Sequence, residues 1–487
     1  MNERTVSLSK EHAPQHHIVL GVHFKLHGGD GISLQAQLLE HALLDSSYDI
    51  HECSADVPPN TKGLAIPELA YQSPEVHALR QDIFHPDGAV PAEQIAQRLD
   101  VLTTKIQTAM ERYIKTNTIR VVHIHNLFSV PYNPAATIAA YRLAREHPDI
   151  QFIAQHHDFV FEKRQDIFPT PPNPAIAKQL DEAVLPTLPN ITHCVLNRDA
   201  AEYLWQTKHI RATVLPDGFD FDIHTEPHAS DTFRKNLGIR EQDIVVGVMT
   251  RIVSRKAIEF AIRFVHDLTA QRAALENYPG GIGPNHRAFT KESAIYLVLP
   301  QGEDLTDNGH YFDILKQYAA DMNVHIIEAG SVVDSDIQHM TPDEGKTRFY
   351  DIYPGLDIVC YPTTQEGFGN QLLEAVALAP NTIPLLFEYP VFKREIAPCI
   401  PYIISLGDTY TPLTEYPELK SLPPQVMETA VNEAISMLTH PEDTARKAQE
   451  NRRLLRAKFD IRLIANAFST LIPKTAASGL TDAAETA

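Results

Sequence analysis

The stretch LDIVCYPTTQEGFGNQLLEA (356–375) combines an apolar strand, a loop that contains glycine and the first turns of a helix. Its opening run, LDIVCYP (356–362), is short and apolar, which predicts a strand buried in a parallel sheet. Gly367 and Gly369 allow backbone N–H groups to approach a ligand where the helix starts. A strand, a tight loop and a helix in this order form the repeating unit of an α/β sheet.

Similar apolar runs recur on both sides of this stretch, each followed by a loop and a longer amphipathic segment. The first half contains HHIVLGVHF (16–24), TIRVVHIHN (118–126), IQFIAQHH (150–157) and ITHCVLN (191–197). The second half contains DIVVGVMT (243–250), IYLVLPQ (295–301), VHIIEAG (324–330) and NTIPLLF (381–387). The helical segments include SLQAQLLEHALL (33–44) and PAATIAAYRLAREH (134–147). This alternation predicts an α/β protein with doubly wound parallel sheets.

The chain has 487 residues, which is too long for one hydrophobic core and predicts two domains. A turn signal at Pro216, Asp217 and Gly218 marks the boundary. We therefore predict an N-terminal domain over 1–215 and a second domain over 216–440. A helix over 441–473 is expected to cross back to the first domain, and the small, polar tail 474–487 is expected to be flexible.

The charge of the chain excludes several classes of partner. The 62 acidic residues outnumber the 42 basic ones, and the formal net charge is −20. A nucleic-acid-binding protein needs basic side chains to displace counterions, so we predict no nucleic-acid partner. The polar N-terminus lacks the apolar core of a signal peptide, and no apolar run is long enough to span a bilayer. We predict a cytoplasmic protein without stable membrane insertion.

Two carboxylates flank the glycine loop of the opening stretch. Glu366 lies in the loop, and Glu374 lies about two turns into the helix. Carboxylates in these places can accept hydrogen bonds from two sets of sugar hydroxyls on one elongated ligand. The alternative interpretation is that Glu366 caps the helix and Glu374 is solvated.

A second motif, VVGVMTRIVSRKAIEFAI (245–262), places two cations in a loop between a strand and a helix. Arg251 and Lys256 lie beside the N–H groups of the helix start, an arrangement that can bind a diphosphate. Fixed cations there stabilise the negative charge that develops on a departing nucleotide diphosphate. The alternative is a pair of ordinary surface cations.

Together the two motifs resemble the retaining nucleotide-sugar glycosyltransferases of family four, which have the GT-B fold of two Rossmann-like domains facing across a cleft. The E-x7-E motif of that family is matched by EGFGNQLLE (366–374), and its Arg-x4-Lys loop by RIVSRK (251–256). Its linker turn is matched by PDGFD (216–220), in which Asp217 replaces the usual Asn.

The resemblance implies a donor site and its roles. Arg251 and Lys256 would hold the diphosphate, and Glu374 would hold the ribose. Glu366, with the glycine loop of Gly367, Phe368 and Gly369, would hold the transferred hexose. The implied reaction moves a hexose from a nucleotide diphosphate sugar to a hydroxyl acceptor, which is a small molecule or a saccharide, with retention of configuration. It implies no cofactor and no metal, because the cations and a helix dipole do the electrostatic work.

The first half is expected to supply the acceptor side of the cleft. HGGDGIS (27–33) resembles the family's glycine loop through Gly29, Asp30 and Gly31, although a plain tight turn explains it equally well. His157 and Asp158 match the family's His-Asp position, which implies that the imidazole of His157 reaches the donor hexose. HIHN (123–126) closes a strand and makes His125 and Asn126 acceptor candidates.

The same histidines allow a metal interpretation. The candidate ligands are His123, His125, His156, His157 and Asp158. His123 and His125 share one face of a strand, and no helix motif bearing Glu accompanies them. We therefore predict that no metal binds.

Two other functions remain open from the sequence. The same scaffold hosts reversible disaccharide synthases or phosphorylases and nucleotide-sugar epimerases, although the epimerases lack the E-x7-E pattern. A catalytically inactive sugar-nucleotide-binding module is disfavoured because Arg251, Lys256, Glu366 and Glu374 are all present.

Overall fold

A computed structural model of the protein describes residues 18–25, 31–44, 48–57, 61–161, 166–226, 228–300, 309–334 and 345–472. Internal contacts divide these residues into two units. The first comprises the described parts of Met1–Leu26, Glu40–Cys194 and Phe468–Ala487, and the second those of His27–Leu39 and Val195–Ala467. The domain boundaries given above remain predictions. No helix in the described ranges has the length and apolarity needed to cross a membrane, and a cytoplasmic location remains a prediction.

The first sheet has seven strands, and its resolved pairings are parallel. The strands are β1 (Ile18–Val22), β2 (Asp49–Ser54), β3 (Gly63–Ala65), β4 (Val121–His125), β5 (Gln151–His156), β6 (Ile191–Val195) and β7 (Ala212–Val214). Their order is β3-β2-β1-β4-β5-β6-β7. All residues of β4 are buried, as expected for a strand in a sheet that is covered on both faces.

The helices that accompany this sheet are α1 (Gly31–Leu44), α2 (Pro74–Phe84), α3 (Ala92–Thr116), α4 (Pro134–Glu146), α5 (Pro174–Ala183) and α6 (Arg198–Lys208). Ser73, Asn133 and Asn173 start α2, α4 and α5 by accepting hydrogen bonds from the first backbone N–H groups of each helix. Each is followed by a proline in the first helical turn, where no donor is lost. The polar residue and the proline together fix where each helix begins.

The second unit contains a six-stranded sheet and two short strand pairs. Its strands are β8 (Ile244–Gly247), β9 (Ile295–Leu299), β10 (Ile326–Glu328), β11 (Val333–Asp334), β12 (Thr347–Arg348), β13 (Ile358–Tyr361), β14 (Leu385–Leu386), β15 (Ile404–Ser405), β16 (Thr411–Pro412) and β17 (Lys420–Ser421). The six-stranded sheet has the order β10-β9-β8-β13-β14-β15, and its pairings are parallel.

By internal contacts the second unit also includes α6 and residues 31–39 of α1. Its further helices are α7 (Ala229–Asn236), α8 (Ile258–Ala270), α9 (His310–Asp321), α10 (Asn370–Leu378), α11 (Pro424–Thr439), α12 (Pro441–Phe459) and α13 (Ile461–Ser469), whose last residues belong to the first unit. Each unit has its own apolar core, formed by the buried faces of its sheet and of the helices that cover it.

Strand order fixes where each unit can bind a ligand. In the first sheet the order reverses between β1 and β4, and in the second it reverses between β8 and β13. Ligands of doubly wound sheets bind at the carboxyl ends of the strands at such a switch point. His23 and Asn126 follow the first pair of strands, and the two loops with Arg251 and Glu366 follow the second pair.

The structure confirms the predicted strands and the two predicted helices, but it differs from the predictions elsewhere. The predicted single helix over 441–473 is broken, because Asp460 adopts an extended conformation between α12 and α13. Its carboxylate accepts a hydrogen bond from the backbone N–H of Arg462 at 3.1 Å, as a residue that starts a new helix does. The sequence pattern also misses β2, whose buried residues include His51, Glu52 and Ser54. The tail 474–487 lies outside the described residues.

Candidate active site

Two loops of the second unit meet at the carboxyl ends of β8 and β13. After β8 the chain makes a short 3-10 turn over Ser254–Lys256. Ala257 then adopts a left-handed conformation with φ 46°, and α8 begins at the next residue. The backbone N–H of Thr364, in the loop after β13, donates to the carbonyl of Arg255 at 2.9 Å. The two motifs found in the sequence are therefore joined directly.

The carboxylate of Glu366 is the centre of this junction. Lys256 Nζ contacts its Oε1, and Arg255 Nη1 lies 2.8 Å from its Oε2. Thr363 Oγ1 donates to Oε1 at 3.1 Å. Lys256 Nζ also donates to Gln371 Oε1 on α10, at 3.4 Å. The predicted diphosphate cation and the predicted hexose carboxylate thus form one buried ion pair.

Burial and charge act against each other on both partners of this pair. Burial lowers the pKa of Lys256 to about 8, although the carboxylate of Glu366 opposes the shift. Burial alone would raise the pKa of Glu366, but the cations of Lys256 and Arg255 outweigh it and lower that pKa to about 2. Glu366 is therefore ionised at neutral pH, and Lys256 is largely ionised.

Glu374 lies in the middle of α10 and is also buried. Tyr353 Oη donates a hydrogen bond to its Oε2 at 2.7 Å. Burial raises the pKa of the Glu374 carboxyl to about 7, against the opposing effect of that hydrogen bond and of the Lys256 charge. The two glutamates of the motif thus differ in charge, because among the described residues cations directly contact Glu366 and not Glu374.

The loop Gly367–Gly369 is held by side chains that contact its backbone. Gly369 has φ 138°, and a Cβ atom there would lie 2.2 Å from Tyr389 Oη. Tyr389 Oη donates to the carbonyl of Phe368 at 2.7 Å, and Asn197 Nδ2 donates to the carbonyl of Gly367 at 2.8 Å. With both carbonyls engaged, glycine at 369 lets the chain turn sharply into α10.

Four other predicted site residues belong to the loop after β8 and to the glycine loop before α1. Arg251 is exposed, and its charge helps to lower the pKa of Lys256. Gly31 is the first residue of α1, and a Cβ there would meet Asn370 Nδ2 at 3.7 Å, an ordinary contact. Gly29 and Asp30 lie outside the described residues.

In the first unit, Asn126 fixes the turn that carries His157 and Asp158. It has φ 61°, a left-handed conformation that asparagine tolerates. Its Oδ1 accepts the backbone N–H groups of His157 at 2.7 Å and of Asp158 at 3.2 Å, and its Nδ2 donates to Asp158 Oδ2 at 3.2 Å. Asn126 is 1% exposed, so its side chain positions the His-Asp turn.

The predicted histidines separate into two groups. His125 Nδ1 lies 3.1 Å from His157 Nε2, and His125 Nε2 lies 3.2 Å from His123 Nδ1. His156 instead pairs with His193, with 2.8 Å between His156 Nε2 and His193 Nδ1. The structure therefore brings three of the four predicted histidines together and directs His156 elsewhere.

A buried acidic pair lies next to the first group. His23 Nε2 is 3.1 Å from both Glu40 Oε1 and Glu52 Oε2. Burial alone would lower the pKa of His23, but the two glutamates outweigh it and raise that pKa to about 10. Burial and the nearby carboxylate of Glu52 raise the pKa of Glu40. For Glu52, hydrogen bonds with Glu40 and His23 outweigh the effect of burial and lower the pKa. Gly21 provides the space, since a Cβ there would lie 2.5 Å from Glu40 Oε1.

This cluster includes a set of possible metal ligands that the sequence does not predict. Ligand atoms of His23, Glu40 and His125 lie within 4.8 Å of one another. However, the rings of His23 and His125 are stacked, with centroids 4.5 Å apart and an interplanar angle of 24°. Nitrogen lone pairs lie in the ring plane, so those of stacked rings cannot both point to an ion about 2.0–2.1 Å away. The distances thus allow a metal, whereas the ring directions disfavour one, and the absence of a bound metal remains a prediction.

Several residues of these sites were not singled out in the sequence. Arg255 stands inside the Arg-x4-Lys loop and contacts Glu366, and Tyr353 reaches Glu374 from a distant 3-10 segment. Of His23, Glu40 and Glu52, His23 had a usable signal, because it directly follows the apolar strand β1 and a buried polar side chain needs a partner. Glu40 lies on α1, and Glu52 lies on the polar strand β2.

Comparison with known proteins supports the glycosyl transfer that the two sequence motifs predict. No family model matches the chain. The mannosylglucosylglycerate synthase of Petrotoga mobilis is 32% identical over 393 residues, which cover 79% of this chain and 86% of that protein. The mannosylglucosylglycerate synthase of Thermotoga maritima is 28% identical and covers 80% of this chain and 84% of that protein.

Solved structures with less than 25% identity agree on the fold. The sucrose-phosphate synthase of Thermosynechococcus elongatus has a TM-score of 0.58 and 14% identity, and the match covers 93% of this chain and 98% of that one. Anabaena HepE in complex with UDP-glucose has a TM-score of 0.53 and 14% identity, with 93% of this chain and 99% of that one covered.

These findings confirm the predicted fold class and the predicted transfer of a hexose from a nucleotide sugar. The two parallel sheets are those of the GT-B glycosyltransferases to which the chain is similar. The relative with 32% identity extends over most of both chains. The chain therefore belongs to the family of the mannosylglucosylglycerate synthases, and it is a nucleotide-sugar hexosyltransferase of the GT4 type with the GT-B fold.

Proposed function

We propose that this chain transfers a hexosyl group to a hydroxyl of a small glycosidic acceptor, with retention of the anomeric configuration. The observation that carries the proposal is the buried pair of Lys256 and Glu366 at the start of α10. A cation and a carboxylate fixed side by side, next to the N–H groups of a helix start, match a diphosphate joined to a hydroxylated sugar.

The donor is assigned to this pair and its neighbours as follows. Lys256 and Arg251 bind the diphosphate, and Arg255 holds Glu366 from its other side. Glu366 and the backbone N–H groups of Phe368 and Gly369 bind the hexose. Glu374, held by Tyr353, binds the ribose hydroxyls. Because the charge on the diphosphate grows as the glycosidic bond breaks, the cations stabilise the transition state more than the bound donor.

The relatives support a choice of acceptor. Their name states that they make mannosylglucosylglycerate, whose precursor before the mannosyl step is an anionic glucoside. We assign the same chemical class of acceptor to this chain, with a mannosyl group as the transferred hexose. On the acceptor side, His125 is a candidate for contact, and Asn126 holds Asp158 and His157, whose imidazole is assigned to the hexose.

No resident metal is needed for this mechanism. Lys256, Arg251 and the start of α10 supply positive potential at the diphosphate, the place where other transferases use a cation. The departing phosphate accepts the proton of the acceptor hydroxyl on the same face of the sugar, which accounts for retention.

The test is a matrix of donors and acceptors with purified protein. GDP-, UDP- and ADP-linked mannose and glucose are each combined with glucosylglycerate and, as a matched control without the carboxylate, with glucosylglycerol. We expect one donor to give product with glucosylglycerate and much less with the neutral control. Proton NMR early in the reaction then reads the anomeric configuration. No product from any pair, or an inverted product, contradicts the proposal.

A further inference from the structure

Two side chains of the second unit fix the directions of the peptide bonds just before α10. Asn197 Nδ2 donates to the carbonyl of Gly367 at 2.8 Å. Tyr389 Oη donates to the carbonyl of Phe368 at 2.7 Å. In a trans peptide, which both of these are, the C=O group and the N–H group of the next residue point in opposite directions. The N–H groups of Phe368 and Gly369 therefore point away from the side chains that hold their peptides.

The orientation of the Asn197 amide follows from its backbone partners. Asn197 starts α6, and its Oδ1 accepts the backbone N–H of Ala200 at 2.8 Å. A backbone N–H can only donate and a carbonyl can only accept, so these two partners assign the oxygen and the nitrogen of the amide. Because Asn197 is buried and tied to the first turn of α6, its Nδ2 holds the carbonyl of Gly367 from a fixed place.

The hydroxyl of Tyr389 acts as a donor at neutral pH. Tyr389 lies three residues after β14 and is 1% exposed. Burial, and after it the nearby charge of Glu366, raises the pKa of Tyr389 well above its ordinary value, so the hydroxyl keeps its hydrogen. Glycine at position 369 leaves the space that this hydroxyl occupies. The carbonyl of Phe368 thus stays turned toward Tyr389.

The two N–H groups of these peptides are unengaged at a buried place. Phe368 is 2% exposed, and Gly369 is buried as well. Within the ranges that the structure describes, neither N–H group donates a hydrogen bond. A buried N–H without an acceptor is costly, so the two groups are suited to bind oxygens of a ligand. In sequence they lie between Glu366 and α10, the segment to which the donor is assigned above.

We propose that Asn197 and Tyr389 are positioning residues that aim these two N–H groups at oxygens of the donor hexose. The inference rests on the proposed function, which assigns the hexose to the N–H groups of Phe368 and Gly369. A peptide that turned over would present a carbonyl oxygen in place of an N–H group, and a sugar oxygen that accepts would lose its donor. Asn197 and Tyr389 thus act on the hexose through the backbone.

The direction of the second peptide can be tested in the resting protein. Phe368–Gly369 is the one Phe–Gly pair in the sequence. In deuterated full-length protein labelled with 13C-carbonyl phenylalanine and 15N-glycine, Gly369 alone therefore shows a one-bond 15N–13C coupling. We expect one sharp signal in wild type and a broadened or split one in Tyr389→Phe, whose peptide samples both directions. A sharp signal with an unchanged 1H–15N dipolar coupling in weakly aligned Tyr389→Phe would overturn the proposal.

The opposite labelling tests Asn197. With 13C-carbonyl glycine and 15N-phenylalanine, the two Gly–Phe pairs of the sequence give signals for Phe219 and Phe368. The N–H of Phe219 donates to the carbonyl of Phe459 at 3.0 Å, so it exchanges slowly and is the internal control. Asn197→Ser keeps an oxygen that can start α6 but removes the donor to Gly367, and we expect the Phe368 signal alone to broaden. Two unchanged signals in this variant would show that Asn197 does not fix the peptide.

Binding experiments test the consequence for the donor. GDP-mannose, UDP-glucose and ADP-glucose are titrated beside GDP, UDP and ADP, and the pair that wild type binds most tightly is used for the variants. We expect Asn197→Ser and Tyr389→Phe to bind the nucleotide sugar about tenfold more weakly and the nucleoside diphosphate within about twofold of wild type. Asn133→Ser is the matched control. Asn133 starts α4, and its Nδ2 donates to the carbonyl of Glu68 at 2.7 Å, so this variant loses the same kind of bond and should keep both affinities.

The outcomes separate this inference from the proposed function. Equal weakening of both ligands in Asn197→Ser and Tyr389→Phe would overturn the inference, because the side chains would then only support the donor site as a whole. A mobile peptide with unchanged nucleotide-sugar affinity would contradict the assignment of the hexose to these N–H groups. If one variant does not fold, the other decides. Because the spectra need no ligand, they test the positioning even if the donor above is wrong.

Discussion

Lys256 and Glu366 form a buried ion pair, although the chain places them on loops that follow different strands of the second sheet, β8 and β13. Lys256 is 2% exposed, so either charge left alone would be costly to keep out of water. The pair therefore holds the two loops together before any donor is bound. It also means that a substitution at either residue affects stability as well as catalysis, and the two effects must be measured separately.

The cations of the donor loop are expected to act on turnover. Lys256→Met and Arg251→Ala should each lower kcat about 100-fold or more, because the leaving-group charge that they stabilise develops in the transition state. Steady-state kinetics, with the melting temperature measured in parallel, separates this from unfolding. Arg263→Ala on α8 is the control, since Arg263 pairs only with Asp267 on the helix surface among the described contacts. Near-wild-type kcat in both variants would remove them from the site.

Metal removal is expected to leave the reaction intact. Arg251, Lys256 and the helix start supply the positive potential, so dialysis against EDTA should change kcat by less than about twofold. The rate is measured before chelation, after it, and after adding back Mg²⁺ or Mn²⁺. Complete loss that either ion restores would contradict the proposed chemistry and direct attention to His23, Glu40 and His125.

Glu374 should make stability depend on pH. Its pKa is about 7 in the folded chain against 4.5 as the ordinary value. The folded state thus binds more protons between these values, and its unfolding free energy falls as pH rises from about 4.5 to 7. Glu374→Gln removes this loss of about 3 kcal/mol. We expect Glu374→Gln to gain stability relative to wild type between pH 5 and pH 8 in urea titrations.

A control isolates that effect from the general pH dependence of the protein. The same titrations with Glu292→Gln, at an exposed position, should show a constant difference from wild type. If the Glu374→Gln difference is equally constant between pH 5 and pH 8, then the carboxyl of Glu374 is already ionised at pH 5 and the argument from burial is wrong.

Gly369 should tolerate no side chain. Gly369→Ala adds a Cβ 2.2 Å from Tyr389 Oη at a φ of 138°, a combination that we expect to cost about 2 kcal/mol or more. Removing the hydroxyl in Gly369→Ala/Tyr389→Phe relieves the collision but not the backbone strain, so stability should return in part. Urea unfolding of the two variants and of Tyr389→Phe gives the coupling. Additive effects would show that the hydroxyl does not limit the space at Gly369.

The sequence could predict this fold because the strands are apolar and the helices begin at strong signals. Its limits are equally specific. The sequence pattern does not predict β2, because this strand is polar where the other strands are apolar. Its Glu52 is buried against His23. The break at Asp460 looks like helix in the sequence, since one extended residue does not disturb the apolar spacing.

For the site, the two loops could be found because each carries its charged residues close together in sequence. The pairing of Lys256 with Glu366 could not be found, because it depends on β8 and β13 being neighbours in the sheet. For the same reason the contact of Tyr353 with Glu374 had no local signal. Contacts between residues distant in sequence are set by strand order, which spacing alone does not reveal.

The two glutamates of the motif should have different kinetic signatures. Glu374 is assigned to the ribose, which is bound in the ground state and in the transition state alike, so Glu374→Gln should chiefly raise the donor KM. Glu366 is assigned to the hexose, where charge and ring distortion develop during transfer, so Glu366→Gln should chiefly lower kcat. Glutamine keeps the shape of each side chain and part of its hydrogen bonding.

Stability and kinetics measured together separate a role in donor binding from a purely architectural one. Glu366→Gln leaves Lys256 buried beside a neutral amide, so this variant should melt earlier than wild type. Glu374→Gln should not, since it removes a buried carboxyl that burial disfavours. Each variant is measured for melting temperature, donor KM and kcat at the same pH. A Glu366→Gln protein that melts early yet turns over at the wild-type rate would show that the Lys256–Glu366 pair only joins the two loops. The hexose would then have to bind through other groups.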